Sequence, residues 1–151
     1  DYARNVLVIG RTLPEAEYET RLPLRMQRLA LVRATVNGSQ PASFVLDTGG
    51  DVTALSRRLA GELTVDPNAR RLPLRAWGMS GWDRSAFLLP FVSIELAPGI
   101  GFTNRSVAVL DLAATGALLG VDLGGIIGHD VLSGYQVSID LARHEVGLTR
   151  R

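Results

Sequence analysis

From Leu29 onward, apolar and polar residues alternate in short runs broken by turn residues, the pattern of strands rather than helices. Leu29–Val36 predicts a strand, Asn37-Gly38 a tight turn and Ser43–Leu46 the returning strand, because Asn-Gly accepts the positive φ that such a hairpin demands. The returning strand runs straight into Asp47-Thr48-Gly49-Gly50, a polar loop placed directly after an apolar segment. Val52–Leu55 predicts another short strand, and Ser56 a cap for a brief helix reaching Leu63. Leu72–Trp77 and Trp82–Leu89 predict a second hairpin around Gly78-Met79-Ser80-Gly81. Phe91–Leu96 and Ser106–Leu110 predict further strands, while Ala113–Leu119 fits either a loop or one helical turn. After Gly124-Gly125 and Ile126-Ile127-Gly128, Asp130–Ser133 predicts one or two helical turns capped by Asp130 and ended by Gly134. Tyr135–Leu141 alternates as a strand with one buried face, and a turn at Ala142-Arg143 joins it to Glu145–Thr149.

The start of the chain reads differently. Val6–Ile9 predicts a short strand, but Arg11–Arg21 mixes proline and glutamate without a period. Residues 1–25 are therefore expected to be an arm packing on the domain or on a partner, with one domain over 26–151. Many short strands and two glycine-rich loops make the expected fold class all-β, a small closed barrel with one or two short helices.

A chain of 151 residues suits a single domain and can build its core without covalent staples. No apolar run approaches the roughly 18 residues of a membrane span. A net charge of +1 offers no general attraction for nucleic acid or an anionic membrane. Lysine is absent, which we attribute to GC-rich codon usage, and the arginines are scattered rather than clustered. With no cysteine, disulfides, thiol catalysis and thiolate metal sites are excluded. The sequence starts at Asp1, without methionine or a signal-like segment, so a trimmed or mature fragment is expected.

The candidate chemistry centres on Asp47-Thr48-Gly49. Hydrolysis by two carboxylates requires them close enough to share one proton and hold a water, since two negative charges at that distance cannot both ionise cheaply. One carboxyl acts as base towards the water and the other as acid towards the substrate carbonyl. A neighbouring glycine can offer its N–H to the carboxylate, and a threonine hydroxyl can tie the loop to a symmetry mate. The tripeptide alone also fits an ordinary turn. His129 and His144 with Asp51, Asp130 or Glu145 lack the tight spacing of a metal site, so no metal or other cofactor is expected.

Taken together, Phe44-Val45-Leu46-Asp47-Thr48-Gly49, the glycine-rich hairpin tip about 30 residues later, and Ile126-Ile127-Gly128 followed by a helix and an amphipathic strand resemble the retropepsin-like aspartic proteases, including their bacterial single-domain members. The resemblance spans roughly Leu29 to Thr149. It implies a closed acid-protease barrel in which Asp47, Thr48 and Gly49 form the catalytic loop, with Ile127 packing beneath it and counted among the residues that bind substrate. Gly50 and Asp51 would border the substrate, and Trp77, Gly78, Met79, Ser80 and Gly81 would form a flap over it, against the alternative of a surface hairpin with both tryptophans packed on the core. A single Asp-Thr-Gly implies a homodimer supplying the second carboxylate. It also implies a peptide or protein substrate and activity highest at mildly acid pH. Where retroviral members carry arginine after Ile-Ile-Gly this chain has His129, and an Asp51–His129 pair is expected to hold the loop. Exported or membrane-tethered bacterial relatives suggest a similar location. The alternatives are a catalytically silent peptide-binding or regulatory module of the same fold, or an enzyme activated by cleavage of a flanking segment.

Overall fold

In a computed structural model the chain is described over residues 1–11, 16–64, 70–78 and 81–150. The first strands are β1 (Thr20–Pro23), β2 (Arg25–Gln27) and β3 (Leu29–Val36). Asn37 and Gly38, both with positive φ (49° and 72°), turn β3 into β4 (Ala42–Leu46), as the Asn-Gly signal requires. Beyond the Asp47 loop lie β5 (Ala54–Ser56) and helix α1 (Arg57–Glu62), capped by Ser56 Oγ, which accepts the Leu59 N–H at 3.2 Å. Next come β6 (Leu72–Pro73), the small hairpin β7 (Ala76–Gly78) and β8 (Gly81–Asp83), and the long pair β9 (Phe87–Ala97) and β10 (Ile100–Leu110). The chain closes with α2 (Ala113–Leu119), β11 (Leu123–Ile127), α3 (His129–Leu132), β12 (Tyr135–Asp140) and β13 (Glu145–Arg150).

The main sheet runs β2-β3-β4-β11-β5-β10-β9-β6, and β9 also pairs back onto β3 through Thr35↔Glu95 and Val36↔Ile94. That pairing closes a barrel over β3-β4-β11-β5-β10-β9, so the expected all-β closed barrel is what the chain builds. Phe44, Leu55, Leu89, Ile94 and Ile127 point into the core and are fully buried. A separate sheet, β1-β13-β12, packs at one side, with Tyr18 lying across Gly147 and donating to Ser138 Oγ at 2.9 Å.

Several boundaries differ from the sequence reading. Phe91–Leu96 is not a strand of its own but part of β9; Pro90 and Phe91 together face a single residue of β10, a bulge that accommodates the missing proline N–H. Ala113–Leu119 is a helix, ended by Gly120 in the left-handed conformation. Val6–Ile9 is not a strand: it has no pairing partner among the described residues and its side chains are 48–86% exposed.

Candidate active site

β11 lies between the two strands that flank the Asp47 loop. It runs parallel to β4, with Ile127 opposite Leu46, and antiparallel to β5, with Ile126 opposite Ala54. Both ends of the loop are therefore fixed to one buried strand. At its start the Asp47 N–H donates to the Ile127 carbonyl at 3.0 Å. Ile127 is fully buried, so it supports the loop from below and cannot reach a ligand as a substrate-contacting residue would.

Asp47 itself is half-buried, and its Oδ1 accepts the Gly49 N–H at 3.0 Å. A Cβ at Gly50 would stand 2.8 Å from Asp47 Oδ2, so the carboxylate lies directly over this glycine. Thr48 and Asp51 are exposed. The arrangement holds one carboxylate at the surface with one oxygen already hydrogen-bonded and no cation paired with it among the described residues.

The loop is clamped by residues the sequence reading assigned otherwise or missed. Asp51 and His129 form no ion pair; their segments meet through backbone, the His129 N–H donating to the Gly50 carbonyl (2.7 Å) and the Asp130 N–H to that of Asp51 (3.3 Å). Asp130 is not a helix cap, because Gly128 occupies that position. Its Oδ1 instead accepts both the N–H (2.8 Å) and the hydroxyl (2.6 Å) of Thr53, whose oxygen accepts the Gly128 N–H at 3.0 Å. Two segments far apart in sequence are thus locked by one buried threonine. The available signal was a hydroxyl residue inside the apolar run Val52–Leu55, where a hydrophobe costs less to bury. Replacing Thr53 with Val keeps the shape but orphans the Gly128 N–H and one carboxylate bond, so we expect a loss of about 2–4 kcal/mol, largely restored by Ser and read by chemical denaturation.

The N-terminal segment also reaches this loop. The Tyr2 ring stands edge-on to His129 at 4.8 Å, and its hydroxyl pKa is raised, first by burial and then by the negative charge of Asp47. Tyr2, Val6, Leu7, Thr48, Ser138 and Ile139 line one common cavity. Nothing in the sequence signalled this approach.

The second hairpin pairs Ala76 with Asp83, Trp77 with Trp82 and Gly78 with Gly81. The two tryptophans are not packed on the core. They are 69% and 60% exposed and meet each other edge-on at 5.1 Å. Met79 and Ser80 lie outside the described residues.

A barrel closed around a single Asp-Thr-Gly loop, braced by a buried Ile-Ile-Gly strand, agrees with the sequence comparison: the profile of the family described as aspartyl protease matches residues 32–131. The chain belongs to the aspartyl protease family. No curated protein matches it by sequence. Among solved structures it is similar to EIAV protease complexed with the inhibitor HBY-793, at 22% identity and a TM-score of 0.51, over 69% of this chain and 85% of that one. It is also similar to a retropepsin-like aspartic protease from Rickettsia conorii, at 17% identity and a TM-score of 0.52, over 89% and 96% of the two chains. The fold of this aspartyl protease family member is thus retropepsin-like, as its sequence suggested. Among the described residues no helix is long and apolar enough to cross a membrane.

Proposed function

We propose that the protein is an aspartic endopeptidase in which Asp47 of two identical chains forms the catalytic pair. The observation that carries this reading is the Asp47 carboxylate itself, held on a doubly braced loop with one oxygen fixed by the Gly49 N–H and the group open to solvent. One Asp47 would take the proton of a shared water while the other donates to the scissile carbonyl. Thr48 and Gly49 shape the loop, and Gly50 and Asp51 border an extended peptide. Trp77–Gly81 would close over that peptide, excluding water and strengthening the electrostatics inside. No metal or organic cofactor is needed by this chemistry. The test is incubation of the protein and its Asp47→Asn variant with a diverse peptide mixture between about pH 4 and 7, with cuts mapped by mass spectrometry. Cuts made only by the parent support the reading; identical digests would end it.

The homodimer draws its support from the surface beside the loop. Val6, Leu7, Val8 and Ile9 expose four consecutive apolar side chains, the first three lining one cavity with Thr48. Such a patch is what a partner covers. A double substitution Leu7→Asp, Ile9→Asp is expected to weaken self-association at least about tenfold. The melting temperature of the isolated chain should stay unchanged, since both side chains are already exposed. Sedimentation equilibrium and thermal melts report the two quantities separately. Unaltered association would remove this segment from the interface.

A further inference from the structure

At the base of the small hairpin β7–β8 the Leu74 N–H donates to the Ala86 carbonyl at 3.0 Å, and one side chain gathers several further bonds. Asp83, the last residue of β8, accepts the Asp111 N–H on Oδ2 (2.9 Å) and the Ser85 N–H and hydroxyl on Oδ1 (2.9 and 2.7 Å). The Arg57 guanidinium of α1 stands 3.8 Å away and also bonds the Ser85 hydroxyl and carbonyl. The Asp111 carboxylate turns elsewhere, accepting the Ala113 N–H at 3.1 Å. One carboxylate therefore gathers the hairpin base, the end of β10 and the start of α1. That helix follows β5, which begins one residue after the Thr53 clamp.

We propose that Asp83 is the positioning residue of the flap: its bonds to Asp111, Ser85 and Arg57 set where the Trp77–Trp82 hairpin stands relative to the catalytic loop. The proposal deepens the endopeptidase reading and rests on it for its effect on substrate. Chemistry at acid pH requires a latch that stays ionised there. Asp83 meets that need: the Asp111 N–H chiefly, then the Ser85 hydroxyl and N–H and the Arg57 charge, hold its carboxyl below the ordinary aspartate range against partial burial. Because its folded pKa is depressed, the contribution of this latch is present above the ordinary value and lost as pH falls through the lowered one.

Both tryptophans of the chain lie in this hairpin, so fluorescence reports on it without any need for activity. In Asp83→Asn an amide N–H₂ replaces an acceptor facing N–H donors. The two rings already stand 69% and 60% exposed, so acrylamide quenching of tryptophan should rise by about a third as the hairpin loosens. An acid step in the parent's emission, falling below the ordinary aspartate range, should be absent from the variant. KM for peptide should rise about tenfold with a smaller change in kcat. Ser85→Ala, which removes only the hydroxyl bond, should move quenching and KM in the same direction by less, and stands in if Asp83→Asn fails to fold. Unchanged quenching in the folded variants would overturn the latch even if the parent cleaves peptides. A parent that cleaves nothing would instead sink the endopeptidase reading while leaving the fluorescence comparison valid.

Discussion

Replacing Asp47 by Asn is expected to lower peptide cleavage by about 10³-fold or more, near the upper range for removal of a general acid–base. The substitution is nearly isosteric, and its carbonyl oxygen can still accept the Gly49 N–H. It removes the carboxylate that would take a proton from the shared water, and in a dimer it removes both members of the pair at once. The loop bonds from Asp47 N–H to Ile127 and from His129 N–H to Gly50 involve backbone alone and survive the change. Folding and self-association should therefore match the parent, and circular dichroism with sedimentation velocity checks this. A variant that cleaves as fast as the parent would take the chemistry away from this carboxylate.

Gly125→Ala is expected to have the largest effect on stability. A Cβ there would stand 2.1 Å from the Ala54 carbonyl oxygen and 2.5 Å from the Phe44 ring, with β11 held between β4 and β5 on both edges. Neither neighbour can retreat cheaply: one is sheet backbone, and the other is fully buried. Overpacking at such a point costs about 3 kcal/mol or more, which lowers the melting temperature by about 6–12 °C in a chain of this size. Because β11 supports both ends of the Asp47 loop, activity should fall with stability rather than independently of it. A melt within about 2 °C of the parent would show that the strands part more easily than their packing implies.

What could be read from the sequence followed from local rules. Asn37-Gly38 specified its hairpin because positive φ is nearly the property of those residues. Ser56 marked its helix through the bond its hydroxyl makes three residues on. The Asp47 loop stood out as a polar segment after the apolar Phe44-Val45-Leu46. What escaped were contacts between distant segments. Asp130 looks like a cap by spacing, yet its partner Thr53 lies 77 positions earlier. Tyr2 reaches His129 through a fold-back with no periodicity, and Asp83 meets Asp111 only once the hairpin base abuts the end of β10. Asp51 and His129 were paired by analogy of charge, whereas backbone bonds already join their segments and leave the side chains apart. The bulge at Pro90-Phe91 hid the continuity of β9, because proline ordinarily argues against a strand interior.

The central claim, that each active site is built from two chains, is tested most directly by mixing. Parent protein is blended with Asp47→Asn at constant total concentration, allowed to exchange subunits, and assayed on one peptide identified in the digest. If both carboxylates are needed, activity follows the square of the parent fraction and an equimolar blend retains about a quarter. Activity proportional to the parent fraction, about half in the same blend, would mean that each chain works alone and would contradict the shared pair.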